Sequence, residues 1–62
     1  MTLQEAKDKS KLMTGRFRRD ITEHIILDGQ GEYIRISEFT LDIWKRKGKK
    51  IYASYRNGKQ IK

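Results

Sequence analysis

Apolar residues in this chain recur every third or fourth position before Gly15 and every second position after Asp20. That change of period predicts a helix followed by strands. Thr2-Leu3-Gln4-Glu5 has the form of a capping box, a hydroxyl and a carboxylate three residues apart that satisfy the first free amides of a helix. Leu3, Ala6, Ser10 and Met13 then fall on one face, a thin apolar stripe. Gly15 is placed to end the helix. With so little apolar surface, a helix and cap over residues 1–15 is expected to be loosely attached.

From Asp20 to Asp28, Ile21, Ile25 and Leu27 share one side of an extended segment with Glu23, and Thr22, His24 and Ile26 share the other. Asp28-Gly29-Gln30-Gly31 supplies turn chemistry before a second strand, Tyr33 to Ile36. Phe39, Leu41 and Ile43 alternate with Thr40, Asp42 and Trp44, and this run predicts a third strand. A helix there would scatter the three apolar residues around its axis. Lys47-Gly48-Lys49 marks another turn, Ile51 to Arg56 another strand, and Asn57-Gly58 is the strongest two-residue hairpin signal in the chain. The expected fold is α+β: a short N-terminal helix, then a four- to five-stranded antiparallel meander over residues 20–62, open or curled into a small barrel. Its core face would hold Ile25, Leu27, Ile34, Ile36, Phe39, Leu41, Ile43, Ile51 and Ala53.

At 62 residues the chain is one domain. A chain of that size buries only about 60% of its unfolded surface and is marginally stable. It has no cysteine, which removes disulfides and thiolate metal sites as staples and fits a reducing compartment. The longest apolar run is Ile25-Ile26-Leu27, far short of a membrane span, and the N-terminus is polar, so a cytoplasmic location is expected.

Charge changes the picture. Residues 44–62 carry eight of the fifteen Lys/Arg and none of the eight Asp/Glu. The tail therefore sums to +8 while residues 1–43 sum to −1. Trp44, Tyr52 and Tyr55 are interleaved with the cations, the combination a polyanion-binding surface uses: charges for phosphates and flat rings for bases. The expected nucleic-acid-binding residues are Trp44, Lys45, Arg46, Lys47, Lys49, Lys50, Tyr52 and Arg56 on a basic hairpin. Arg16, Arg18 and Arg19, around Phe17, form a second contact, because guanidinium forks suit phosphate geometry. Between the two clusters, residues 20–42 hold six acids and one base. Pairing with the basic tail across the sheet is the plainer expectation for those acids.

Catalysis has little support. His24 has carboxylate neighbours in Glu23 and Asp28, but Ser10, Ser37 and Ser54 have no nucleophile context and no glycine pattern reads as a phosphate loop. Not an enzyme, no cofactor and no metal site is the expectation. The leading function is a small basic nucleic-acid-binding module, DNA or RNA, acting as a regulator or accessory factor. The competing class is a protein-binding modulator of the phage or mobile-element type that inhibits or recruits a larger enzyme through exposed aromatics. A second copy of the chain is a further candidate partner. A membrane surface is not expected, because no basic amphipathic helix with bulky apolar residues is present.

Overall fold

A computed structural model describes all 62 residues. Helix α1 spans Leu3–Arg16, followed by β1 (Glu23–Leu27), β2 (Tyr33–Ser37), a 3-10 turn at Glu38–Thr40, α2 (Leu41–Arg46), β3 (Ile51–Arg56) and β4 (Lys59–Gln60). The four strands form one open antiparallel sheet in the order β2-β1-β3-β4. The fold is α+β, as the change of period predicts, but it is neither a meander nor a barrel.

The strand expected at residues 39–44 is a helix instead, and the topology gives the reason. Both β2 and β3 run antiparallel to β1, so they run parallel to each other with β1 between them. Parallel strands need a crossover, and the 3-10 turn and α2 supply it. A strand in this segment would have no free neighbour at the centre of the sheet. Helix signals are also present in the sequence: Glu38 and Asp42 come first, Lys45 and Arg46 last, and Gly48 follows with φ +76°. Acids then bases complement the helix dipole, and a left-handed glycine suits the exit.

The expected core changes accordingly. Phe39 is 78% exposed and Ile43 54%, and only Leu41 and Trp44, one turn apart, are half-buried in α2. The fully or nearly buried apolar residues are Ala6, Ile25, Ile26, Ile36, Ala53 and Tyr55. They do not share a face. The β1–β2 loop has three residues between the paired Asp28 and Glu32, so even positions meet even ones: Ile26 faces Ile34 and His24 faces Ile36. Opposed residues project to the same side, which puts Ile25 and Leu27 on one face and Ile34 and Ile36 on the other. A register shift between Ile25 and Ile26 likewise separates Ala53, opposite Ile25, from Ile51, opposite Ile26. Both faces of the sheet are therefore apolar.

Only the Ile25 face is covered by a helix. Helix α1 lies across the Ile25 face and touches all four strands. Its capping box is formed: Glu5 N–H donates to Thr2 Oγ1 (3.1 Å) and Thr2 N–H to Glu5 Oε1 (3.0 Å), and the latter bond holds the Glu5 carboxyl below its usual range. The face that α1 buries is Ala6, Ser10 and Thr14, small residues at i, i+4 and i+8 that admit a close approach. The polar atoms there are partnered. Ser10 Oγ donates to Glu23 Oε1 (3.0 Å), Arg35 Nη1 donates to the same oxygen (2.8 Å), and Thr14 Oγ1 donates to Ser10 O (2.7 Å). On the opposite face the 3-10 turn and α2 pass near His24, whose nearby charges are Glu38, Lys45 and Lys62.

Candidate nucleic-acid interface

Glycine determines which basic residues meet. Helix α1 runs past Gly15 to Arg16 and is capped by Phe17, so Gly15 does not end it. Instead Gly15 touches the β3–β4 turn. A Cβ on Gly15 would stand 3.2 Å from Gly58 Cα, and one on Gly58 would stand 3.1 Å from Gly15 Cα. Asn57 (φ 52°) and Gly58 (φ 76°) form the left-handed pair that a two-residue hairpin requires. Gly58 N–H donates to Thr14 Oγ1 (3.1 Å), which fixes the turn to the last turn of the helix.

Residues some 40 positions apart in sequence thereby share one end of the molecule. Lys11, Gly15, Arg16 and Gly58 line one shallow groove with Asp8 and Leu12. Arg18 and Arg19 follow directly after α1, and Arg56 and Lys59 flank the turn. Arg19 Nε donates to Gly15 O (3.0 Å) and Arg56 Nη1 to Thr22 Oγ1 (3.2 Å), so both side chains are directed while keeping other N–H groups free. Phe17, in the middle of the arginine run, is 70% exposed. Asp8 and Asp20 are the acids nearest in sequence to this end.

The expected basic hairpin does not exist as one surface. Trp44, Lys45 and Arg46 belong to α2 and Lys47 is its C-cap, while Lys49 and Lys50 lead into β3 and Arg56 ends it. Five residue steps along β3 separate Lys50's end from Arg56 by about 17 Å. The cations therefore divide into a lysine end, Lys45 to Lys50, and an arginine end, Arg16 to Arg19 with Arg56 and Lys59.

The two ends differ electrostatically. Asp28 and Glu32 lie in the loop at the lysine end, and Lys49 is close enough to Gly29 for its Nζ to be 3.8 Å from a Cβ built there. Asp28 is held below the usual carboxylate range by the backbone N–H groups of Glu32 and Gln30, with a smaller contribution from Lys49. Glu32 also binds the N-terminal ammonium and raises its pKa. The pairing expected between central acids and basic tail is otherwise absent: of the fifteen Lys/Arg, only Arg35 is in an ion pair, with Glu23.

The rings singled out for stacking are partly occupied. Tyr52 is 38% exposed and meets Tyr33 edge to face, with centroids 5.3 Å apart. Lys50 Nζ stands 5.4 Å from its centroid, and Lys47 Nζ stands 5.0 Å from that of the half-buried Trp44. Tyr55 is buried at 5% exposure, donates to Gln60 Oε1 (3.1 Å), and is pushed up in pKa by burial. Phe17 is the open ring at the arginine end; Phe39, more exposed still, lies beside Glu38 on the crossover. The place of Phe17 inside Arg16-Phe17-Arg18-Arg19 was visible in the sequence, whereas the nearness of Lys11 and the Lys59 turn depends on the Gly15–Gly58 contact.

On the other face of the sheet, His24 Nδ1 and Ser54 Oγ form a buried polar pair, 2.7 Å apart across β1 and β3. His24 is 9% exposed and Ser54 1%, so the hydroxyl is closed to a substrate. No three His, Cys, Asp or Glu side chains converge as a metal site, and no helix is long and apolar enough to cross a membrane. No protein-family model, no curated protein and no solved structure matches this chain.

Proposed function

We propose that the protein is a small nucleic-acid-binding module whose main contact is the arginine end: Lys11, Arg16, Arg18, Arg19, Arg56 and Lys59 around the open ring of Phe17. The observation that carries this reading is the Gly15–Gly58 contact, which gathers cations from both halves of the chain without pairing them to acids. Unpaired guanidinium groups at a surface neutralise phosphates and release counterions. Phe17 offers a stacking face to an unpaired base, a contact worth about 1–3 kcal/mol. The lysine end, Lys45, Arg46, Lys47, Lys49 and Lys50, serves as a second backbone contact, with the acids of the 28–32 loop limiting how the strand passes it. Regulatory or accessory action by occupancy is the consequence, since the site offers binding groups and no reacting ones.

The test is a binding titration against single- and double-stranded DNA and RNA over a range of salt. Affinity should fall with a log–log slope of about −0.7 to −0.9 per phosphate contacted. Arg16→Ala with Arg18→Ala should flatten the slope, and Phe17→Ala should weaken single-strand binding without changing it. Absence of measurable affinity near physiological salt would overturn the proposal. The competing protein-modulator reading is favoured by a different observation, the exposure of Phe39 and Ile43. It predicts capture of a single protein that is lost on changing either residue.

A further inference from the structure

Asn57 is the one asparagine in the chain, and glycine follows it. Asparagine is a thermolabile residue, and a following glycine makes it more so, because no side chain shields the glycine nitrogen from the asparagine amide. Asn57 is exposed at the tip of the β3–β4 turn, so water reaches its side chain. Its main chain is held in the left-handed region (φ 52°), and Gly58 N–H, the group that would react, donates to Thr14 Oγ1 at 3.1 Å. Gly58 also lies against α1: a Cβ built on it meets Gly15 Cα at 3.1 Å and Lys11 O at 3.7 Å. Thr14 is fully buried and donates in turn to Ser10 O at 2.7 Å, so the acceptor is fixed in place.

We infer that Asn57 is a self-modification site, guarded by the docking of Gly58 on Thr14 and Gly15 and released when that contact opens. In the reaction Gly58 N gives its proton to solvent, and its electron pair attacks Asn57 Cγ. The new N–Cγ bond closes a succinimide ring, and the side-chain nitrogen leaves as ammonia. Water then opens the ring. Attack at Cγ yields aspartate, and attack at the main-chain carbonyl carbon yields isoaspartate, in which the chain runs through Cβ. Ring closure needs the Gly58 nitrogen stripped of its proton and swung onto Cγ, and the bond to Thr14 opposes both. Either product places a carboxylate between Arg56 and Lys59, and isoaspartate also lengthens the tight turn that Asn57 and Gly58 form. The lengthened turn no longer holds Gly58 against Gly15, so Arg56 and Lys59 part from Lys11 and Arg16. The modification does not depend on what the protein binds; its effect on affinity rests on the proposed nucleic-acid reading.

The test is to age the full chain in warm neutral buffer and follow its intact mass. Asn57→Gly is the control, since it keeps a left-handed turn and has no amide to lose. Wild type should gain the mass difference between an amide and an acid, mapped to residue 57, and the control should not. Because the reaction needs local opening, the folded chain should convert about tenfold or more slowly than the same chain in guanidinium chloride. The Gly58 amide should be protected from hydrogen exchange by a similar factor, since exchange at that nitrogen needs the same opening. Thr14→Val, which keeps the side-chain outline and removes the acceptor, should convert faster than wild type while amide spectra show the native fold. If that variant does not fold, the exchange comparison on wild type decides alone. Conversion of folded wild type at the denatured rate, or a Gly58 amide that exchanges freely while Asn57 stays intact, would overturn the inference. Guarded conversion in a chain that binds no oligonucleotide would leave this inference standing and refute the nucleic-acid reading.

Discussion

Replacing Arg35 by methionine should be among the most damaging single changes in this protein. Arg35 Nη1 donates to Glu23 Oε1 at 2.8 Å, and the Glu23 side chain is 3% exposed against 22% for Arg35. Removing one partner of a buried pair strands the other charge and typically costs about 3–5 kcal/mol. Ser10 still donates to Glu23 at 3.0 Å and the space of the lost guanidinium admits water, so the lower figure, about 3 kcal/mol, is expected here. For 62 residues at about 0.05–0.15 kcal/mol each, total stability is about 3–9 kcal/mol, so this loss removes a third of it or more. At about 4–8 °C per kcal/mol for a domain of this size, Tm should fall by about 12–24 °C. Glu23→Gln keeps an acceptor for Ser10 and leaves a cation that reaches water, so it should cost only about 1 kcal/mol. The double variant removes both charges and should be more stable than Arg35→Met alone. Thermal melts by circular dichroism give all three values. The reasoning fails if Arg35→Met melts within about 2 °C of wild type, or if the two costs simply add.

Gly58→Ala should destabilise by about 1–2 kcal/mol from its left-handed backbone alone, and by more because its Cβ would meet Gly15 Cα at 3.1 Å; a melt matching wild type would refute the close contact. Ile25→Ala should cost about 2–5 kcal/mol, whereas Phe39→Ser should change the denaturant midpoint little, because Ile25 is fully buried and Phe39 is 78% exposed. His24 should make stability depend on pH. Burial lowers its folded-state pKa below the ordinary 6.5, so the unfolded chain binds the proton more readily. Its contribution is whole above pH 6.5 and is lost as pH falls from there toward the folded-state pKa, with Lys45 and Lys62 disfavouring the imidazolium and Glu38 favouring it. Urea midpoints of wild type and His24→Gln should converge in their pH dependence above that range and diverge below it; parallel curves would exclude the histidine.

Local signals in this chain were readable wherever one short segment determines its own structure. The Thr2–Glu5 box, the Asp28–Gly31 turn with Gly31 at φ 84°, and the Asn57-Gly58 hairpin are all present as their residue types require. Phe39, Leu41 and Ile43 misled because a period-2 run signals a strand only when one face of it is buried; here Phe39 and Ile43 face solvent. The ordering of Glu38 and Asp42 before Lys45 and Arg46 was the better local signal. Face assignment failed at the β1–β2 loop, because a one-residue change in loop length exchanges the partners of Ile34 and Ile36. The proposed binding site was half legible. Arg16, Arg18 and Arg19 stand out by composition, but their union with Arg56 and Lys59 depends on a contact between two glycines far apart in sequence.

The most direct test of the proposed function is to follow the backbone amides by NMR while adding a short single-stranded oligonucleotide at physiological salt. The account predicts progressive shifts at residues 16–19 and 56–59, a weaker set at 45–50, and none at Ile25 or Ile36 in the interior. An unchanged spectrum, or shifts confined to Phe39 through Arg46, would contradict it.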